Sequence, residues 1–413
     1  VGTLKQVRRR WTILCVFVVA VILVWINVTW PQPKAVEADL STFYRVTPVA
    51  VAPLWGKQPV EFYVHETMAE MSLEQKIRSL LIINQPGMDV ASLQGFVDSQ
   101  QLGGFILMGS NIPSTPEELS GITAALRGNP ELPRLIGIDE EGGEVKRLPY
   151  DSFAGADVLR NEPIEATAQA FTSRAQLLKS VGINLNFGVV ADVSGDTASF
   201  IYGRSFGSDG MSAGIRVEAA VTAENPYLLS TLKHFPGHGS APGDSHVGIP
   251  TSPLDYEYWK QSEGIPFAMG IVAGNPLVMF GHLSFPAIDP VPSSLSQRWH
   301  QILREEMGFD GVIITDDMTM LESSGIPEYS DPASNAVEAL RAGNDLLLYV
   351  PSVNFDVGAI VSAVTNAVTA GTVSAELLDE SVARVLTLRR ELYSEAKTWI
   401  PPCDERCLIW VTY

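Results

Sequence analysis

Cysteine is nearly absent from this chain: three in 413 residues, at Cys15, Cys403 and Cys407. That number and scatter exclude a disulfide framework and a four-thiolate zinc site. Cys403 and Cys407 could pair with each other only near the C-terminus, in an oxidising compartment. Basic charge is also scarce, with 28 Lys and Arg against 47 Asp and Glu, a net charge of −19. Such a surface repels phosphate backbones, so nucleic acid is not an expected partner. Histidine is rare too, at six residues. Yet His234, His238 and His246 fall in one short stretch, "KHFPGHGSAPGDSH", together with Asp244.

One long apolar run stands apart from the rest. "WTILCVFVVAVILVWINVTW", Trp11–Trp30, carries no charge and follows Lys5, Arg8, Arg9 and Arg10. Twenty residues at helical rise span roughly 30 Å, the thickness of a bilayer core. Basic residues before the span predict a cytoplasmic N-terminus and an extracytoplasmic body. The run exceeds the h-region of a signal peptide, so a retained anchor is preferred to a cleaved and secreted form, although "VEA" at Val36–Ala38 resembles a cleavage site. The predicted organisation is a basic segment over 1–10, a transmembrane signal-anchor over 11–30, a Pro-rich spacer over 31–64, a catalytic domain over 65–398 and a tail over 399–413.

Beyond Met71 short apolar runs alternate with amphipathic stretches. The runs begin at Ile77, Gly103, Leu135, Ile183, Leu228, Leu277, Gly311 and Asp345. Between them lie helix signals such as "STPEELSGITAALRG", where Ser114 is the expected cap, Pro116 falls in the first turn and Glu117 completes a capping-box spacing. Near-continuous apolar strands joined by helices imply a parallel sheet buried on both faces. Eight such units predict an α/β fold of the (β/α)8 TIM-barrel type, preceded by the N-terminal transmembrane helix.

Barrel enzymes carry their chemistry at the C-terminal strand ends. Here those ends bear Asp139, Asp192, Lys233 with His234, His282, and Asp316 with Asp317. Capping could account for one of these residues, but hardly for five successive strand ends. His234 and His238 have the spacing of a helical metal pair, but Pro236 and Gly237 between them oppose a helix. Asp244 and His246 are two apart, so in an extended segment both would point to one side. A carboxylate that fixes one imidazole nitrogen frees the other for proton transfer. The stretch therefore reads as a proton-transfer loop rather than a metal cage, with no metal and no cofactor expected.

Four motifs carry a resemblance. "KHFPGHG" followed by "DSH", "DEEGGEVKRL" (Asp139–Leu148), "GRSFG" (Gly203–Gly207) and "GFDGVIITDDM" (Gly308–Met318) resemble the β-N-acetylglucosaminidases (β-N-acetylhexosaminidases) of glycoside hydrolase family 3. The likeness runs from about Met71 to Leu392. It implies a retaining glycosidase in which Asp316 is the nucleophile, His246 the acid/base and Asp244 its orienter. Asp139, Arg147, Arg204, Lys233 and His234 would hold the sugar hydroxyls. The implied reaction is exo-hydrolysis of terminal β-linked N-acetylglucosamine from peptidoglycan fragments or amino-sugar oligosaccharides. The export segment makes the chain similar to exported bacterial relatives. A β-N-acetylglucosaminide phosphorylase and a non-catalytic wall-glycan-binding barrel are the alternative readings.

The sequence departs from that family's "DQEGGRV" at Glu140 and Glu144, and has Gly203 where Asp is common before the arginine. The first departure predicts a more acidic loop and leaves the preferred leaving group open.

Overall fold

The structure, a computed structural model, describes residues 60–351 and 355–393. The apolar span Trp11–Trp30, most of the spacer, the tail and all three cysteines lie outside the described residues. Among the described residues no helix is long and apolar enough to cross a membrane.

Eight parallel strands close a barrel in chain order. They are β1 (Leu81–Ile83), β2 (Gly104–Leu107), β3 (Leu135–Ile138), β4 (Leu185–Val190), β5 (Leu229–Phe235), β6 (Leu277–Phe280), β7 (Val312–Asp317) and β8 (Leu346–Tyr349). The seam is β1 against β8, with Leu81, Ile82 and Ile83 opposite Leu347, Leu348 and Tyr349. Each strand falls inside one of the eight apolar runs or extends it by one residue. Every residue of β1 to β6 and β8 is buried, because side chains facing inward fill the barrel and those facing outward meet helices.

Two local expectations are corrected. The run beginning at Ile77 is not all strand. Ser72 and Gln75 form a capping box that starts the helix Leu73–Ser79, and only Leu81–Ile83 pairs in the sheet. The cap of the helix Pro116–Arg127 is Thr115, which accepts from the Glu118 amide at 3.3 Å, so the capping pair sits one residue later than Ser114 and Glu117. A helix Val60–Glu70 also begins inside the stretch read as spacer. Its Tyr63 ring lies 3.8 Å from the Arg390 guanidinium.

The core has two lobes. One surrounds β1, β2, β3 and β8 and includes Ile82, Phe105, Ile138 and Leu347. The other centres on Phe235, Trp259, Phe267, Phe280 and Trp299, whose rings meet at centroid distances of 4.8 to 5.9 Å. This aromatic lobe supports the end of β5, where the histidine-rich stretch begins. Strand register shifts along three seams, β4–β5, β5–β6 and β7–β8. These seams flank the strands that carry Lys233, His234 and Asp316, and such irregularities re-aim side chains at strand ends.

Candidate active site

A chain of alternating charges covers the catalytic end of β3, β4 and β5. Arg147 donates to Asp139 at 3.2 Å, and the Lys233 ammonium reaches Asp139 at 3.0 Å and Glu141 at 2.6 Å. Arg204 grips Glu141 with two parallel bonds of 2.8 and 2.9 Å, the strongest geometry for this pair. Burial alone would raise the Asp139 carboxyl, but Lys233 and Arg147 outweigh it and hold it at about 2. Burial would likewise depress the Lys233 ammonium, and Asp139 and Glu141 reverse that and push it up. The floor is therefore a set of ionised groups paired with one another. The hairpin that carries Glu141 turns at Gly142, whose φ is +82°. A side chain there would overlap the buried Arg174 guanidinium, which pairs with Asp151 at 2.8 Å.

Asp192, at the exit of β4, organises the start of the next loop. Fully buried, it accepts from the His238 amide at 2.6 Å, from the His234 amide at 3.2 Å and from His234 Nδ1 at 2.7 Å. Burial opposes its ionisation, but His234 and the other donors hold it at about 2. With Nδ1 committed, His234 presents Nε2 to Arg204 at 3.3 Å. The His234 and His238 rings lie 6.2 Å apart at 76° to one another. His238 is 2 % exposed, and neither of its ring nitrogens has a hydrogen-bond partner among the described residues. Among the described residues no three His, Cys, Asp or Glu converge as a metal set.

The two aspartates at the end of β7 differ sharply. Asp317 is held in structure, accepting from Thr319 Oγ1 at 2.7 Å, the Thr319 amide at 3.0 Å and the Val350 amide at 2.9 Å. Among the described residues Asp316 accepts from the Asp317 amide alone, at 2.8 Å. Burial would raise its carboxyl, but the His234 and His282 rings, that amide and Lys233 hold it below the usual range. His282 itself is buried, bonding the Asp317 carbonyl at 3.0 Å and Ser294 at 2.7 Å. It fixes the strand end and is not free for chemistry.

Asp244 and His246 do converge, though by a different geometry than an extended segment would give. The backbone turns, with the Val247 amide on the Asp244 carbonyl, and Asp244 Oδ1 accepts both the His246 amide at 2.9 Å and His246 Nδ1 at 2.7 Å. This is the local bonding of a short acid across a turn. Their side chains are 39 % and 61 % exposed, so Nε2 is open to a substrate. Gly239 lets the loop pass close to β4's exit, because a Cβ there would overlap the Val193 carbonyl.

The structure thus brings Asp139, Arg147, Arg204, Lys233 and His234 into one contact network, places Asp316 beside His234, and pairs Asp244 with His246. Sequence reasoning missed Glu141 and gave Asp192 no role. Glu141's position between Asp139 and Arg147 was an available signal, as was Asp192's at a strand end. In the Asp139–Leu148 loop Glu140 is fully buried and accepts from the Arg147 and Leu148 amides at 2.8 and 3.1 Å, with its carboxyl pushed up by burial, whereas Glu144 is exposed.

Residues 72–388 match the glycosyl hydrolase family 3 N-terminal domain. A β-hexosaminidase of Pseudomonas aeruginosa (strain LESB58) is 34% identical over 255 residues, 60% of this chain and 74% of that protein. Among solved structures, a glycoside hydrolase family 3 β-N-acetylglucosaminidase from Paenibacillus sp. is 29% identical with a TM-score of 0.72, over 83% of this chain and 68% of that one. A β-N-acetylhexosaminidase from Beutenbergia cavernae is 26% identical with a TM-score of 0.68, over 78% of this chain and 99% of that one. With the family domain spanning the whole barrel and its site, this chain belongs to glycosyl hydrolase family 3 and is a β-N-acetylhexosaminidase-like hydrolase.

Proposed function

We propose that the enzyme is a retaining, exo-acting β-N-acetylglucosaminidase working through a covalent glycosyl-Asp316 intermediate. The observation that carries this reading is the division of labour at the end of β7: Asp317 is occupied by structural donors, while Asp316, its carboxyl held low, accepts from one amide among the described residues. Asp316 attacks the anomeric carbon as the glycosidic C–O bond breaks. His246, protonated and held through Nδ1 by Asp244, gives its Nε2 proton to the departing oxygen. In the second step His246 takes a proton from water, which attacks the anomeric carbon and releases Asp316. Asp139, Arg147, Arg204, Lys233 and His234 fix the sugar hydroxyls. A histidine in place of the usual second carboxyl is chemically suited to this, since imidazole both gives and takes protons near neutrality.

Leaving-group chemistry tests the assignment. Asp316→Ala is expected to abolish turnover of every β-N-acetylglucosaminide. His246→Ala is expected to lose about 10²–10⁴ in rate where the leaving group is an alkoxide. It should recover much of that loss on a dinitrophenyl glycoside, accumulate a glycosyl-enzyme visible by mass spectrometry, and be accelerated by azide. Equal losses on good and poor leaving groups would remove His246 from the mechanism. Product analysis with and without phosphate separates hydrolysis from phosphorolysis.

The substrates fitting this reading are peptidoglycan fragments or amino-sugar oligosaccharides outside the cytoplasmic membrane, with Trp11–Trp30 as the anchor. Protease added to intact spheroplasts should then cut the barrel. Full protection of the barrel would refute the topology.

A further inference from the structure

The site described so far holds the sugar that is cleaved off, and the groups around His246 bear on the sugar that leaves. Phe200 is 36 % exposed, on the loop that also carries Arg204. Its ring meets His246 edge-on at 5.7 Å, lies 5.6 Å from His238 and has the Arg204 guanidinium at 5.3 Å. The acid must touch the departing oxygen, so a ring in contact with His246 borders the leaving sugar. Gly203 lies between Phe200 and Arg204 in the chain, and a Cβ there would come 3.1 Å from Glu144 Oε2. Glu144 is exposed and makes no ion pair or hydrogen bond among the described residues. Of the cations on these loops, Arg204 is consumed by Glu141, Arg147 pairs with Asp139 and Lys146 donates to the Asp151 carbonyl. Glu144 is therefore an exposed acid with no ion-pair partner among the described residues, beside cations that are each already engaged.

We propose that Phe200, Gly203 and Glu144 form the subsite for the leaving sugar, and that Glu144 selects a neutral or amino-bearing sugar over one carrying a carboxylate. The proposal rests on the glycosidase reading above and narrows it to amino-sugar oligosaccharides. Phe200 offers an apolar face to the sugar ring. The Glu144 carboxylate attracts an ammonium and repels a carboxylate across a gap of a few ångströms.

The experiment measures kcat/KM of the full chain on four substrates. Three are disaccharides in which β-N-acetylglucosamine leaves N-acetylglucosamine, glucosamine, or a lactyl-ether sugar bearing a carboxylate. The fourth is methyl β-N-acetylglucosaminide, whose leaving group needs the acid but has no ring to stack. Wild type is expected to disfavour the carboxylated disaccharide by about fivefold against the neutral one. Glu144→Arg should raise the carboxylated-to-neutral ratio by about tenfold, Glu144→Gln by less, and 0.5 M salt should shrink both effects, as screening requires. Phe200→Ala should lower kcat/KM on the disaccharides by about tenfold more than on the methyl glycoside. An equal loss on all four would make Phe200 a brace for His246 and overturn its part. A ratio unmoved by Glu144→Arg would overturn the charge selection. If the wild type turned over none of the four, the glycosidase reading would fail and this one with it.

Discussion

Asp316 and Asp317 are adjacent, chemically identical residues, and their surroundings separate them: donors occupy Asp317, while the His234 and His282 rings and Lys233 hold the Asp316 carboxyl low. The letters "TDD" show two carboxylates at a strand end, and alternation shows only that they face opposite ways. The family resemblance implies Asp316, and the three donors that occupy Asp317 fit that choice. Asp317→Asn replaces an acceptor with a donor facing one of those groups, at a cost of about 1–3 kcal/mol. It is expected to lower the melting temperature by several degrees yet still trap a glycosyl-enzyme from a 5-fluoro sugar donor. Asp316→Asn should trap none. A labelled Asp317 in place of Asp316 would reverse the assignment. Glu141 shows the opposite limit of the sequence: its role depends on Lys233 and Arg204, residues far along the chain that only barrel closure brings to it.

Among the elements, strands were the most legible, because burial on both faces leaves an apolar signature. The first run misled because Ile77 and Ser79, in the last turn of the helix Leu73–Ser79, are buried next to β1, and apolarity does not separate a buried helical turn from a buried strand. Loops were the least legible. The turn at Asp244–His246 and the edge-on contact of Phe200 with His246 depend on side-chain interactions that periodicity does not encode. That loop also separates function from stability. The Asp244–His246 pair is largely exposed, and such pairs contribute about 0–1 kcal/mol. Asp244→Asn should therefore slow turnover of alkoxide substrates while shifting the melting temperature by no more than about 2 °C, as thermal unfolding and kinetics on one preparation would show. Gly239→Ala belongs to the same element. Its methyl would displace the loop from the Val193 carbonyl, so it should reproduce part of the His246→Ala pattern, with activity recovering on dinitrophenyl glycosides.

For the molecule as a whole, buried acids set the dependence of stability on pH. Burial pushes Glu140, Glu224 and Glu263 up to about 8 from an ordinary 4.5. A carboxyl raised in the folded state binds its proton there more tightly than in the unfolded chain. Its contribution is full below pH 4.5 and is lost as pH climbs to about 8. Asp139 and Asp192, held at about 2, act in the opposite sense, contributing above 3.8 and failing as pH falls through 2. Melting temperature should peak in mildly acidic buffer and fall towards pH 8.5, with the net charge of −19 adding self-repulsion. Glu224→Gln should flatten that fall, and a wild-type melting temperature that rises from pH 5 to 8 would contradict the account. The closing of β1 against β8 has a consequence for biosynthesis. Residue 81 finds its partner only when residue 347 has been made, so a growing chain carries two open sheet edges until its last strand arrives. A product cut short before Leu346 would keep both edges bare, and its expected fate is self-association rather than a smaller soluble barrel.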